Sequence, residues 1–374
     1  MSGRVVLAIN SAWNIANFRS GLIRGLQADG WDVVAMAPRD THVARVEALG
    51  CRFVELPMQG DGTNPWHDVL LYRRYKAALA AEQPSAFLGF TIKPNVYGSL
   101  AAHSLGIPVV NNIAGLGTAF ISTNWLTTVA RLLYRIALRQ SHTVLFQNEE
   151  DRRYFIDSGL VDGAHTTRVP GSGVDLDAFA PAALPVRAPG AALRLLFVGR
   201  LLRDKGLLEL AQAARLLKAQ GIHVEIALLG FLEAPNRTAI SRIEVDAWQA
   251  EGLLRYLGSS DDVRPHIADA DAVVLPSYRE GVPRTLLEAA AMARPLIASD
   301  AVGCRDVVDD GVNGFLARVR DAADLATQIA RFAALEKSAR LAMGRASRAK
   351  VEREFDERVV LDTYRRLLHG MAPR

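Results

Sequence analysis

A pair of doubly wound α/β domains joined by a linker is the architecture this sequence predicts, and three observations predict it. The chain has 374 residues, too many for one ordinary hydrophobic core and suited to two domains of about 150 to 200 residues each. Short β-branched or leucine-rich runs alternate with longer stretches of helical periodicity in both halves, the pattern of a parallel sheet wrapped by helices. Between the halves, PGSGVDLDAFAPAALPVRAPGAA at residues 170–192 is rich in Pro, Gly and Ala and has no periodicity, so it reads as a linker.

The first element, RVVLAIN at 4–10, carries one basic residue and an apolar run too short for a secretory signal, and it reads as a buried first strand. Strands follow at 32–38, 51–57, 85–91, 107–113 and 141–148, with helices near 18–28, 66–81, 94–104, 125–139 and 149–158. LRLLFVGR opens a second series, with strands near 193–199, 223–230, 253–257, 271–277, 295–299 and 314–318. Its helices lie near 206–220, 239–251, 284–293 and 321–335, and a charged helical tail runs on from Lys337. The domain boundaries are therefore placed at 1–180 and 193–355, with 181–192 as the linker and 356–374 as a last helix whose apolar spacing requires a packing partner.

Composition narrows the function classes. Half of the residues are hydrophobic and 22% are charged, as in a globular enzyme, and the net charge of +4 permits anionic partners without requiring nucleic acid. Cys51 and Cys304 have no metal or disulfide spacing, so a reducing cytoplasm is expected. No charge occurs between Lys93 and Arg131, yet Pro94, Gly106, Pro108 and Gly115 break that stretch, so it is not a membrane span. The first loop, NSAWNIANFRSGL, lacks the G-x-G-x-x-G of dinucleotide-binding proteins, and the chain has no G-x-x-x-x-G-K-[ST].

Open α/β sheets bind ligands beyond the carboxyl ends of their strands. Three such ends in the second half carry suggestive chemistry. GRLLRDKG places Arg200 and Lys205 after the strand at 193–199, and GSSDD exposes the backbone of Gly258 and Ser259 after the strand at 253–257. SYREGVPRTLLEA places Glu280 and Glu288 around a helix N-terminus after the strand at 271–277. The two cations, with N–H donors of Thr285, Leu286 and Leu287, suit a diphosphate. Carboxylates only accept hydrogen bonds, so Glu280 and Glu288 suit sugar hydroxyls. A sugar nucleotide, with hydroxyls on either side of its diphosphate, fits that order of charges. Thr285-x-x-Glu288 also has the form of a capping box, which would give Glu288 a structural role alone.

VGRLLRDKG, PSYREGVPRTLLEAAAMARPLIASD and DDGVNGFL together resemble the donor domain of glycosyltransferase family 4, retaining enzymes of the GT-B fold. PGSGVDLDAF is similar to that family's interdomain signature, and the resemblance covers nearly the whole chain. It implies two Rossmann-like domains facing across a cleft, with the terminal helix crossing back to the first. It further implies that Glu288 binds the donor ribose, that Glu280 faces the donor sugar, and that Gly281, Val282 and Pro283 contact that sugar through their backbone. FTIKPNVYGSLAA, VVNNIAGLGTAF and GCRDVV resemble the branch of undecaprenyl-diphospho-bacillosamine N-acetylgalactosaminyltransferases, which build bacterial surface glycans. One departure is plain: where many members have a histidine facing the donor sugar, this chain has Asn111 and Asn112, and an asparagine is no general base. His103 and His142 lie elsewhere and read as structural.

The first half has no Asp or Glu from Gln83 through Asn148, while Lys93, Arg131, Arg135 and Arg139 fall within that span. The three arginines, four apart, line one stripe of a helix that also carries Trp125, Leu126, Leu132, Leu133, Ile136 and Leu138, an arrangement able to lie on an anionic membrane. Arg19 and Lys93 follow strands and could grip an acceptor diphosphate; Asn112, Arg131 and Arg135 complete the expected acceptor-binding set. The expected reaction is retaining transfer of a hexose or N-acetylhexosamine from a UDP-sugar to a polyprenyl-diphosphate-linked saccharide at the inner face of the cytoplasmic membrane. Arg200, Lys205 and Glu280 are the expected catalytic residues. No metal or other cofactor is expected, since the D-x-D of Asp269 and Asp271 straddles a helix end and a strand start. A sugar-nucleotide epimerase and a non-catalytic nucleotide-sugar-binding protein are the alternatives.

Overall fold

The structure, a computed structural model, describes residues 3–58, 65–115, 125–188, 190–232 and 236–371, with the side chains of 65 and 125–127 excepted. The side chains of Trp125 and Leu126 thus lie outside the described residues. The chain divides into two units, residues 1–172 with 357–374, and residues 173–356.

The first unit is built on seven parallel strands, β1 Arg4–Ala8, β2 Asp32–Ala37, β3 Arg52–Glu55, β4 Ala86–Phe90, β5 Val109–Ile113, β6 Thr143–Phe146 and β7 Thr166–Arg168, in the order β3-β2-β1-β4-β5-β6-β7. Reversal of strand direction of travel at β1 sends the helices to opposite faces. On one face lie α1 Ala12–Phe18, α2 Ser20–Ala28 and α3 Val43–Glu47; on the other lie α4 Pro65–Glu82, a π-helical turn Pro94–Gly98, α5 Ser99–Ser104, α6 Trp125–Leu138 and α7 Glu149–Asp157. Alternate strand residues serve the two faces: Val5, Leu7, Val33 and Ala35 pack towards α1–α3, and Val6, Ala8, Val34 and Met36 towards α4 and α5.

The second unit has six parallel strands, β8 Leu193–Val198, β9 Val224–Leu229, β10 Arg255–Tyr256, β11 Ala272–Leu275, β12 Leu296–Ser299 and β13 Gly314–Ala317, in the order β10-β9-β8-β11-β12-β13. Its helices are α8 Leu207–Ala219, α9 Arg242–Ala250, α10 Arg264–Ala268, α11 Arg284–Ala291, α12 Cys304–Val307, α13 Ala322–Ala333 and α14 Lys337–Glu354. The last helix, α15 Glu357–Met371, returns to the first unit, where Val360, Tyr364 and Leu368 join the α1–α3 side of the core.

The expected linker at 181–192 is corrected. Residues from 173 onwards are stitched into the second unit: Val174 N donates to the Phe355 carbonyl at 2.9 Å, and the buried Arg294 donates to the carbonyls of Ala182 and Ala183 at 2.8 and 2.9 Å. Arginines far along the chain satisfy the linker's carbonyls, an interaction that periodicity does not carry. The 253–257 strand shrinks to two residues. α1, α3, α10, α12 and β7, all short, were missing from the sequence reading.

Candidate active site

Gly206 has φ +73°, and a Cβ there would sit 2.0 Å from the Pro276 carbonyl oxygen, so the loops after β8 and β11 touch backbone to backbone. Tyr278 N donates to the Asp204 carbonyl at 2.9 Å across the same seam. A second seam joins the β11 and β12 loops: Glu280 N donates to the Val302 carbonyl at 3.0 Å, and a Cβ on Gly303, φ +80°, would lie 2.1 Å from the Gly281 oxygen. Only glycine tolerates both the left-handed backbone and the approach. The Glu280–Pro283 turn is thereby held from both sides.

This packing brings Lys205 to Glu280, and the two form an ion pair between mostly buried side chains. Arg200 lies on the same β8 loop, exposed, with no ion pair among the described residues. Glu288 is paired with Arg284 at 2.9 Å, one helical turn away on α11. Burial pushes the Glu288 carboxyl up from its ordinary value, and the Arg284 guanidinium partly opposes that. With Arg200, Lys205 and Arg284 against Glu280 and Glu288, the five groups carry a net charge of about +1.

The capping box does not form. Pro283 is the N-cap of α11, and the Thr285 hydroxyl donates to the Val198 carbonyl at 3.1 Å, tying α11 to the end of β8. Glu288 is therefore not a cap. The helix N-terminus is also leaner than expected, because the amides of Leu286 and Leu287 both donate to the Pro283 carbonyl, at 3.0 and 3.3 Å. Among the three expected donors, the Thr285 amide has no such acceptor among the described residues, and the side chains of Leu286 and Leu287 are core. Gly258 accepts from Gly230 N at 2.8 Å through its carbonyl, and Ser259 beside it is exposed.

Sequence reasoning missed Arg284, though its i,i+4 spacing to Glu288 was visible. It also missed Gly303 and Ser277, a fully buried serine whose hydroxyl finds no partner among the described residues. The carboxylates of the D-x-D are committed to arginines: Asp271 accepts from Arg187 Nε at 2.5 Å and from Arg194 N at 2.8 Å, and Asp269 accepts from Arg194 at 2.7 Å.

In the first unit the expected acceptor residues all meet partners within that unit. Arg19 is buried with its guanidinium 4.2 Å from the Phe90 ring centroid, a cation–π seat inside the unit. Lys93 pairs with Asp68 of α4 at 3.5 Å. Asn112 is buried, donates to the Tyr364 hydroxyl at 3.0 Å and accepts from Gln147 at 3.4 Å; Asn111 donates to Ser99 at 2.7 Å and accepts from Ser141 at 2.6 Å. Both asparagines thus serve an internal hydrogen-bond network. Arg135 donates to the carbonyls of Gly159 and Ser158, at 3.0 and 3.2 Å, bracing the end of α7, and Arg131 lies over the Tyr154 ring at 5.8 Å. Of the three stripe arginines, Arg139 alone is exposed without a partner among the described residues.

Residues 15–171 match the glycosyl transferase 4-like domain, and residues 192–334 match the glycosyl transferases group 1 domain. The chain is a two-domain family 4 glycosyltransferase. It is similar to the N,N'-diacetylbacillosaminyl-diphospho-undecaprenol α-1,3-N-acetylgalactosaminyltransferase of Campylobacter jejuni, 24% identical over 97% of this chain and 98% of that protein. It is also similar to the UDP-Gal:α-D-GlcNAc-diphosphoundecaprenol α-1,3-galactosyltransferase of Escherichia coli, 28% identical over 61% of each chain. The solved structure of HepE from Anabaena with UDP-glucose superposes with a TM-score of 0.81 at 17% identity, covering 98% of this glycosyltransferase and all of that chain, a likeness of fold. Both units of the glycosyltransferase are accordingly the parallel α/β domains of the GT-B fold.

Proposed function

We propose that this glycosyltransferase moves a hexose or N-acetylhexosamine from a UDP-sugar to a polyprenyl-diphosphate-linked saccharide, with retention at the anomeric carbon. The observation that carries the reading is the Lys205–Glu280 pair, with Arg200 on the same loop as Lys205 and the Arg284–Glu288 pair on α11, at the carboxyl ends of β8 and β11. Two relatives named for lipid-diphosphate acceptors and α-1,3 products support the acceptor class. Hexose nucleotides are α-linked to their diphosphate, so an α product corresponds to retention.

In this reading the bond from C1 to the β-phosphate oxygen breaks, and its electron pair passes to that oxygen. Arg200, Lys205 and the Thr285 amide oppose the charge that develops there. The acceptor hydroxyl bonds to C1 on the face the diphosphate leaves, and its proton goes to the departing phosphate oxygen. Lys205 has three donors, so it can keep Glu280 while reaching a phosphate. Glu280 faces the donor sugar, Glu288 accepts from the ribose, and Gly281 to Pro283 line the sugar with backbone. Gly258 and Ser259 face the base. These cations supply the positive charge the leaving group needs, so the reaction calls for no metal.

No described helix is long and apolar enough to cross a membrane; the proposed acceptor brings the enzyme to the membrane surface instead, on its cytoplasmic side. The test is a panel of UDP-sugars incubated with a lipid-linked saccharide, scored for UDP release and product mass. A lengthened lipid glycan is the expected product. Release of an epimerised nucleotide sugar, or no acceptor-dependent UDP, overturns the reading.

A further inference from the structure

We infer that Tyr278 is a positioning residue for the transfer: held by Glu209 and Arg320, its side chain fixes the β11 loop against the start of α8 and so sets Lys205 in register with Glu280. The inference deepens the reading of Lys205 and Glu280 as catalytic groups and rests on it. Tyr278 stands two residues before Glu280, and the two residues it bonds, Asp204 and Glu209, lie on either side of Lys205 in the chain. Its amide donates to the Asp204 carbonyl at 2.9 Å. Its hydroxyl donates to the Glu209 carboxylate, 2.8 and 2.9 Å from the two oxygens, in the first turn of α8. Main chain and side chain of one residue thus clasp the segment that carries Lys205, before it and after it.

A hydroxyl bonded to a carboxylate makes a charge-assisted hydrogen bond, stronger than a neutral one. Burial, and next the bond to Glu209, pushes the Tyr278 hydroxyl up to about 12, so it keeps the proton it donates across the neutral range. Among the described residues Glu209 forms no ion pair, and its carboxylate serves Tyr278 alone. Asp204 is held from a further side, where its carboxylate accepts from the Thr238 hydroxyl at 3.3 Å.

Arg320, at the exit of β13, completes the cluster. α8 and α13 pack side by side, which brings that exit to the β11 loop, and the Arg320 guanidinium lies 4.4 Å from the centroid of the Tyr278 ring. The Arg320 backbone has φ +60°, a left-handed conformation that residues other than glycine seldom adopt. The turn around it enforces that conformation: Asp321, the N-cap of α13, accepts from Asp324 N at 2.9 Å, and the Asp324 carboxylate accepts from Arg318 N at 2.7 Å. Backbone strain of this kind gathers at functional sites. Glycine would satisfy the turn more easily; what arginine adds is the cation over the ring, and among the described residues Arg320 forms no ion pair.

The experiment is kcat and donor KM for Tyr278→Phe, alone and combined with Lys205→Ala, with hydrogen exchange of the same proteins. Tyr278→Phe keeps the ring and removes the hydroxyl; kcat should fall about tenfold with donor KM within about twofold, as for a displaced catalytic cation. In the Lys205→Ala chain the same change should cost less than about twofold, because Tyr278 acts through Lys205. Glu209→Ala should match Tyr278→Phe, and Glu209→Gln, which keeps an acceptor, should recover most of the parent rate. Arg320→Gly relieves the left-handed strain, so it should melt no lower than the parent while kcat falls about threefold. Exchange at residues 203–209 and 277–280 should rise at least about fivefold in Tyr278→Phe, a readout that needs no substrate. Losses that multiply in the double variant, or exchange at the parent rate, overturn the inference. A parent chain that transfers no sugar, with exchange that still rises in Tyr278→Phe, would remove the transfer reading and leave Tyr278 as the tie between the two loops.

Discussion

Lys205 and Glu280 meet because two loops are pinned by backbone contacts, so their chemistry should be separable from the fold. Lys205→Ala is expected to lower kcat by about 10² to 10³-fold, the range for removing one charge-stabilising donor. Glu280→Gln should act similarly, and thermal melting of both should stay within a few degrees of the parent. Steady-state UDP release with parallel melting curves checks this; parent-like rates in both variants would remove them from the machinery. Glu288 makes a different prediction. Burial holds its carboxyl above the ordinary value, so it protonates earlier as pH falls. Donor affinity in the parent should therefore weaken on the acid side, beginning above the usual carboxylate range, and Glu288→Gln should raise donor KM and lose that limb. The same direction means the folded chain holds this proton more tightly than the unfolded one. Its contribution to stability is full below the ordinary value and is lost as pH rises through the raised one.

At the scale of elements, the turn after β11 depends on Gly303. Gly303→Ala is expected to destabilise by about 2 kcal/mol or more, since the backbone needs a left-handed residue and the neighbour is a carbonyl that cannot yield cheaply. Because that carbonyl belongs to Gly281, donor KM should rise as well; denaturant melts and donor titrations measure the two effects. The segment before β8 depends on Arg294, which is fully buried and donates to five carbonyls, those of Ala182, Ala183, Ile267, Ala268 and Met292. Arg294→Met leaves those acceptors dry, and a loss of about 3 kcal/mol or more is expected. Hydrogen exchange should rise at residues 182–183 and at the end of α10, and an unchanged pattern would show that other contacts hold them.

At the scale of the molecule, the chain crosses between units twice, and the second crossing returns α15 to the first. A chain ending at 356 would uncover the α1–α3 side of that core and remove the Tyr364 hydroxyl from Asn112. Calorimetry should show the melting of the first unit lowered and that of the second kept. The Arg365–Asp29 pair, bidentate at 2.6 and 2.9 Å, adds a pH-dependent part. The hydrogen bond from Arg365 chiefly holds Asp29 below its ordinary value, so its stabilisation is present above that value and lost as pH falls through the lowered one. Asp29→Asn should lower Tm at neutral pH by about 2 °C or less, the pair being partly open to solvent, and the difference should vanish in acid.

Period and composition by themselves determined the two α/β units and most of their strands, because a strand buried on both faces must be a continuous apolar run whatever surrounds it. They also placed Arg200, Lys205 and Glu280 in strand-end loops and Glu288 on the helix that follows one, since ligands of such sheets bind there. What only the tertiary structure decided is the state of each charge. The Arg284 partner of Glu288, the cation–π seat of Arg19, the internal network of Asn111 and Asn112, and the carbonyls that engage Arg294 and Arg135 all arise between residues brought together by packing. A stripe of arginines on a helix looks the same in sequence whether it meets water, a membrane or the end of α7.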